Sequence, residues 1–218
     1  MIRFAHRSAL LLALLALGAG QVQAGYIFNT FSPGDVHSSE GGYLVSGKSS
    51  SFNVDAHEGF SFTAGSTEAL KRVEVSFFRA GGSTAFNLGL YADDGLGHKG
   101  ALIESFNGLQ LGSSHIVSVD SALNPVLAAG TQYWLVATPG DANTAIAWYA
   151  NDIGVTSTLY QSFDGGVGYL AGQKTTVFRL TGEPLLPEPS ATPGPGGLAL
   201  LVSGLPVGLL AWRRRRAA

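Results

Sequence analysis

Short runs of alternating apolar and polar residues fill the middle of the chain. In the runs 72–77 and 86–90 an apolar residue occupies every second position, as in Val73, Val75 and Phe77. Because successive side chains of a β-strand point to opposite faces of its sheet, this period of two predicts strands with one buried face. Further runs that predict strands lie at residues 26–31, 51–54, 60–63, 101–106, 116–119, 133–137, 145–149, 167–170 and 176–180.

Turn-forming residues separate these runs and support the same interpretation. Glycine, asparagine, aspartate and proline accept the backbone angles that tight turns require. The sequence contains no amphipathic helix pattern longer than about two turns and no long repeat that would indicate a propeller or a solenoid. We therefore predict an all-β fold, a two-sheet β-sandwich of jelly-roll type. The turn signals are Gly81-Gly82, Asp94-Gly95, Asn107-Gly108, Pro139-Gly140-Asp141 and Asp164-Gly165-Gly166.

Residues 1–24 have the three parts of a secretory signal peptide. Arg3 and Arg7 supply a positive start, residues 9–17 are apolar, and residues 22–24 end in the small residue Ala24. Nine apolar residues are too few to span a bilayer, so we expect cleavage by signal peptidase rather than anchoring. The mature protein then begins at Gly25, and residues 25–182 form the exported β-sandwich domain.

The other end of the chain predicts a membrane segment. Residues 183–195 form a proline-rich linker, which favours an extended spacer. Residues 196–212 are uncharged and would span about 25 Å as a transmembrane helix, slightly less than a hydrocarbon core of ~30 Å. The basic tail 213–218 follows at once and should stay in the cytoplasm, leaving the body of the chain outside the inner membrane.

These C-terminal features together resemble a known sorting signal. Pro187, Glu188 and Pro189 precede the apolar segment, and Arg213, Arg214, Arg215 and Arg216 follow it. The arrangement resembles the PEP-CTERM tail of Gram-negative bacteria that make exopolysaccharide. The resemblance implies that exosortase, a membrane protease, cuts near Pro187–Pro189 and releases the protein to the cell surface, outer membrane or extracellular matrix. The alternative is a C-terminal anchor that is never cut.

The body of the chain has a resemblance of its own, carried by four stretches: 29–35, 90–95 with 100–104, 129–136, and 148–151. Their residues, such as Leu90-Tyr91-Ala92-Asp93-Asp94-Gly95 and Gly130-Thr131-Gln132-Tyr133-Trp134, resemble the choice-anchor β-domains, which occur with several alternative surface-anchoring tails. The resemblance implies a β-fold and a surface location. It gives no information about an activity or a ligand.

Charge and cysteine content narrow the possible partners. The whole chain has a net charge of -2, but residues 25–186 contain seven Lys and Arg against fourteen Asp and Glu. An acidic domain repels phosphates, which argues against nucleic-acid binding. The chain has no cysteine, which excludes disulfides, thiolate metal sites and cysteine nucleophiles.

Two motifs in one loop suggest a cofactor or a metal. Residues 95–100 match the dinucleotide pattern GxGxxG, but Asn107-Gly108 leaves no room for the helix that must follow it. We expect a plain loop between strands and no cofactor. Asp93 and Asp94 are candidate calcium ligands, because calcium takes six to eight oxygen ligands. The alternative is that both are ordinary turn residues, since no DxDxDG spacing is present.

Catalytic signatures are weak. The four histidines of the domain are scattered, and neither GxSxG nor HExxH occurs. A Ser-His-Asp triad or a carboxylate pair can still assemble in space, which keeps a secreted hydrolase as the least favoured alternative. We predict a protein that is not an enzyme. The histidines are His37, His57, His98 and His115.

Carbohydrate binding is the stronger alternative. Aromatic rings offer flat apolar faces to sugars, and nearby amide and carboxylate groups can bond hydroxyls; the opposing interpretation is that the tryptophans fill the sandwich core. We therefore predict a structural or adhesive protein of a biofilm, with exopolysaccharide recognition as the alternative function. The possible glycan contacts are Tyr91, Trp134, Trp148, Tyr149, Asn151 and Asp152.

Overall fold

The structure, a computed structural model, describes residues 25–37 and 41–185. The predicted signal peptide up to Ala24, the motif Pro187–Pro189, the segment 196–212 and the arginines 213–216 lie outside the described residues. Within the described ranges, no helix has the length and apolar character needed to cross a membrane.

The described part of the chain is all-β, as predicted, and every pairing between its strands is antiparallel. The last strand extends to Pro184, so it includes the first two residues of the predicted linker. The strands are β1 Tyr26–Asn29, β2 Gly42–Ser46, β3 Ala56–Thr63, β4 Glu68–Gly82, β5 Ala85–Asp93, β6 Lys99–Gln110, β7 Ile116–Asp120, β8 Val126–Leu127, β9 Gln132–Pro139, β10 Thr144–Tyr149, β11 Thr156–Phe163, β12 Gly166–Lys174 and β13 Phe178–Pro184.

Strand β4 holds the sheet together because it changes partners along its length. Its first half, from Glu68 to Val75, pairs with β13, and its second half, from Phe77, pairs with β10. Strands β7 and β8 pair with the opposite edge of the first half. The main strand order is β1-β13-β4-β10-β2-β3-β9-β5-β6, and the hairpin β11–β12 joins the free edge of β3.

The sheet curls over itself and encloses one main core. Phe178 on β13 meets Phe62 on β3 with ring centroids 5.7 Å apart, although these two strands are not paired. Phe77 likewise lies 4.7 Å from Phe86, and both rings are buried. The alternating apolar residues of runs 72–77 and 86–90 all enter this core, which confirms the period-two prediction there.

The Asp-Gly turn signal of residues 164–165 is also confirmed. Asp164 and Gly165 have φ of 48° and 86°, and they join Phe163 to Gly166 in a two-residue hairpin loop between β11 and β12. Two positive φ angles in succession match the twist of paired strands, and Asp-Gly adopts them readily.

Two other predictions, one about a strand and one about a turn, are wrong. The run 51–54 is a loop between β2 and β3, where Asn53 has φ of 53° and Phe52 is exposed. Asn107-Gly108 does not end a strand; it lies inside β6, opposite a register shift between Phe86 and Leu88. A bulge absorbs an extra residue without ending the pairing, and Gly108 provides the positive φ of 70°.

Candidate functional site

The two tryptophans proposed as glycan contacts are both buried. Trp134 and Trp148 are 0% exposed, so neither can present a ring face to a sugar. Trp148 lies in the main core and donates its indole N–H to the Val177 carbonyl at 3.0 Å. The glycan role predicted for both residues is therefore wrong. The alternative interpretation as core residues is confirmed for Trp148, whereas Trp134 is buried outside the main core.

Trp134 lies on the outer face of β9 but is covered by a second, smaller cluster. We call Trp134, Val136, Tyr160, Tyr91 and Tyr169 the outer aromatic cluster. The Tyr169 ring meets the Trp134 ring edge-on, with centroids 5.6 Å apart, because hairpin β11–β12 carries Tyr169 across this face.

A lysine closes part of this cluster from solvent. The Lys99 ammonium lies 4.7 Å from the Tyr91 ring centroid and 4.4 Å from that of Tyr160. A cation over an aromatic face is attracted by the negative face of the ring. Tyr91 is half-buried, and the Lys99 contact occupies one face of its ring. It therefore offers a sugar less surface than the sequence suggests.

The carboxylates of Asp93 and Asp94 accept hydrogen bonds from the surrounding chain. Asp93 Oδ1 accepts from the Gly95 N–H at 2.8 Å, and Oδ2 accepts from Gln132 and from the Trp134 indole, each at 3.1 Å. Asp94 Oδ1 accepts from backbone N–H groups of the same loop, which hold the pKa of Asp94 below its usual value. These bonds engage both oxygens of Asp93 and one oxygen of Asp94.

The loop containing these aspartates joins β5 to β6, as predicted for the GxGxxG residues, and no helix follows it. Among residues 25–37 and 41–185, no group of three or more His, Cys, Asp or Glu is placed to hold a metal ion. The hydrogen bonds of the two aspartates brace this turn and connect it to β9.

Asn151, another predicted glycan contact, is also buried and cannot reach a sugar. It is 0% exposed, and its amide bonds the Val155 carbonyl at 2.8 Å and the Thr175 carbonyl at 2.6 Å. The Val155 N–H donates back to Asn151 Oδ1 at 3.0 Å. Asn151 thus closes the loop after β10, whereas its neighbour Asp152 is exposed.

The structure brings together residues that the sequence kept far apart. His37 stacks on Tyr149 with ring centroids 4.0 Å apart, and His115 lies edge-on to His37 at 5.4 Å. Phe78 packs on Tyr149 at 4.7 Å. We call His37, His115, Tyr149 and Phe78 the histidine–tyrosine cluster; no sequence signal pointed to it, because its members come from four distant segments.

The electrostatics of this cluster favour a neutral His37. Burial lowers its pKa first, the nearby His115 lowers it further, and Asp152 opposes both. Ser76 Oγ lies 3.5 Å from His37 Nδ1, the pairing that a serine nucleophile and its base would need. Ser76 is 0% exposed, however, and its hydroxyl is closed to a substrate. His57 and His98 lie elsewhere.

A neutral polar groove lies beside the hairpin β11–β12. Its volume is about 420 Å³, and all of its lining residues are uncharged. Hydroxyl groups dominate one wall and the Phe28 ring contributes an apolar surface. We call it the hydroxyl groove; its polar lining residues are Ser61, Thr63, Gln132, Thr156, Ser157 and Thr158. Sequence reasoning missed it because β11 has no clear hydrophobic alternation.

A second groove, of about 330 Å³, is charged and centres on Arg179. Arg179 is paired with Glu74 at 2.6 Å and with Asp35 at 2.9 Å, and it lies over the rings of Phe31 and Tyr26. These carboxylates raise the pKa of Arg179. Its charge is thus compensated within the domain and is a structural feature rather than a free anion site.

Comparison with known proteins assigns no family. A scan against models of known protein families gives no match, and a search of curated proteins gives none either.

Proposed function

We propose that this chain is an exported, non-enzymatic surface or matrix protein of an exopolysaccharide-producing bacterium. The observation that carries the proposal is the three-part tail: Pro187–Pro189, the uncharged segment 196–212 and the arginines 213–216. Together with the predicted signal peptide 1–24, this tail defines one route of export. Signal peptidase releases Gly25, the arginines hold the C-terminus in the cytoplasm, and exosortase then cuts near the PEP motif.

The domain between these signals is proposed to be a two-sheet, jelly-roll-like sandwich with a structural or adhesive role in a biofilm. The curled antiparallel sheet and its single main core support this architecture. The burial of Ser76, whose hydroxyl lies 3.5 Å from His37, supports the proposal that the domain is not an enzyme. Internal pairing of Asp93, Asn151 and Arg179 supports a self-contained domain that needs no metal.

Mass mapping of both termini tests the sorting route. The native protein is taken from inner-membrane, outer-membrane and culture-medium fractions. We expect a first residue of Gly25 and a last residue near Pro189 in the surface and medium fractions. An intact tail through Arg216 that stays in the inner membrane would instead establish a plain anchored protein.

Carbohydrate binding is the second candidate, and the hydroxyl groove favours it. Neutral hydroxyl and amide groups beside an aromatic ring suit an uncharged sugar, because each sugar hydroxyl both donates and accepts hydrogen bonds. The groove also has room for a sugar ring, at about 420 Å³. Of the six residues predicted from the sequence to contact a glycan, Tyr91, Tyr149 and Asp152 are partly or fully exposed, and the other three are buried.

Thermal unfolding with a panel of polysaccharides, including the host exopolysaccharide, tests this candidate. A ligand that binds the folded state raises the melting temperature by mass action. We expect Thr156→Val, which removes a groove hydroxyl at nearly constant volume, to abolish the shift. Tyr149→Ala should keep it, since Tyr149 lies outside the groove. If only Tyr149→Ala abolishes the rise in melting temperature, the sugar binds at the histidine–tyrosine cluster instead. If no glycan raises the melting temperature, carbohydrate binding is refuted.

A further inference from the structure

Glu68, the first residue of β4, has a carboxyl group that the fold leaves incompletely paired. It is only 7% exposed, and its Oε2 atom finds no hydrogen-bond partner among the described residues. In the sheet, Glu68 is paired with Leu127 of β8 on one side and with Pro184 of β13 on the other. A buried carboxylate oxygen without a donor is costly, and such a group calls for a cation or a strong donor.

Two glycines make room for this carboxyl group. An ideal Cβ on Gly25 would lie 2.6 Å from Glu68 Oε1, and a Cβ on Gly182 would overlap Oε2. Gly25 is also held in place, because its carbonyl accepts the Gly182 N–H at 3.0 Å. Since a Cβ lies about 2.5 Å from its own backbone nitrogen, the nitrogen of Gly25 lies within about 5 Å of Glu68 Oε1.

The nearest lysine on the same strand is already paired. Lys71 Nζ lies 2.8 Å from Glu183 Oε2, so it is engaged by another carboxylate. The position beside Glu68 that is suited to a positive charge is therefore the Gly25 nitrogen. Within a peptide bond that nitrogen is neutral, but as a chain terminus it is an ammonium group with three donors.

We propose that Glu68 is the binding site for the α-ammonium group of Gly25 that cleavage after Ala24 creates. The inference rests on the proposed export route, because only hydrolysis of the Ala24–Gly25 peptide bond generates this charge. Water adds across that bond: Ala24 leaves with a carboxylate and Gly25 gains the ammonium. Opposite charges within this distance attract each other, so removal of the signal peptide also completes a buried ion pair.

The pair couples processing to stability. Before cleavage, the Glu68 carboxyl lacks its cation and the β1–β13 edge is weaker. After cleavage, the ammonium connects the start of β1 to β4 and β13 at the point where three strands meet. A change in any of the three residues that form the site, Gly25, Glu68 and Gly182, disturbs this pairing.

Thermal unfolding of two forms of the chain tests the proposal. One form runs from Gly25 to Ala218 in detergent, made with a cleavable fusion that leaves Gly25 as the first residue. The other carries Gln23 and Ala24 in addition, which moves the ammonium away without adding a charged side chain. We expect the form that starts at Gly25 to melt on the order of 5 °C higher.

Two variants identify the partner of the ammonium. Glu68→Gln should abolish the difference between the two forms, whereas Glu183→Gln, which removes the neighbouring paired carboxylate, should leave it unchanged. Equal melting of the two wild-type forms overturns the proposal without any variant, so it remains testable even if Glu68→Gln fails to fold. A native protein whose first residue is not Gly25 would refute the export route, while the melting difference would still report on the pairing itself.

Discussion

Glu58 on β3 offers a sharp test of the buried electrostatics. It lies on the core-facing side of the strand with Phe60 and Phe62, and it is 1% exposed. Its Oε1 accepts a long bond of 3.4 Å from Gln161, and its Oε2 finds no partner among the described residues. Burial raises the pKa of Glu58 from 4.5 to about 8, and the Gln161 bond opposes this shift.

The sign of the pH dependence follows from the raised pKa. Between pH 4.5 and about 8, the folded protein retains a proton that the unfolded chain has released. The free energy of unfolding therefore falls as pH rises through this window and levels off above it. At about 1.4 kcal/mol per pKa unit, the full loss is on the order of 5 kcal/mol, with about 3 kcal/mol already lost at pH 7.

The substitution Glu58→Gln removes the ionisation and keeps the shape. Its side-chain carbonyl still accepts the Gln161 bond, so the variant and the wild type should unfold with similar free energies near pH 4.5. At pH 7 the variant should be more stable by about 3 kcal/mol, and at pH 9 by on the order of 5 kcal/mol. Urea unfolding at these three pH values measures the difference, in which the contributions of other titrating groups cancel.

Glu104 provides a matched control with the opposite outcome. It is equally buried, but its Oε2 accepts from Ser121 Oγ at 2.6 Å and its Oε1 accepts from the Ala122 and Leu123 N–H groups at 2.7 and 3.1 Å. Glu104→Gln turns an amide NH₂ toward donors and should lower the free energy of unfolding at pH 7 by about 2 kcal/mol. A difference between Glu58→Gln and wild type that does not vary with pH would refute the reasoning.

Three further predictions concern the rest of the domain. Arg179→Met should lower the free energy of unfolding, measured in urea, by on the order of 2 kcal/mol, because it leaves the partly buried Glu74 carboxylate without its cation, whereas Arg72→Ala, which breaks an exposed pair, should leave it nearly unchanged. Gly165→Ala should cost about 1 kcal/mol because of its φ of 86°, and Gly168→Ala, in open space, should cost less. Asp93→Ala should cost on the order of 3 kcal/mol, while added calcium should leave the wild-type melting temperature unchanged; a calcium-dependent rise would contradict the donor geometry. Thermal and urea unfolding measure all three.

The sequence alone was sufficient where the signal is local. The period of two in runs 72–77 and 86–90 identified strands β4 and β5 and their buried faces, because each strand needs one apolar side whatever it packs against. The Asp164-Gly165 turn was identified for the same reason, since its backbone angles depend on two adjacent residues. The targeting segments are also linear signals, and they remain predictions.

Tertiary structure alone decided which residues are buried on the outer face and which lie together. Trp134 points outward on its strand, yet hairpin β11–β12 covers it with Tyr169. Strand β11 escaped prediction because its two faces are both largely polar, so burial by neighbours rather than its own pattern defines it. The histidine–tyrosine cluster, the hydroxyl groove and the Gly25–Glu68 contact each join segments distant in sequence. Such contacts depend on how the curled sheet brings distant strands together, and no local pattern along the chain encodes that arrangement.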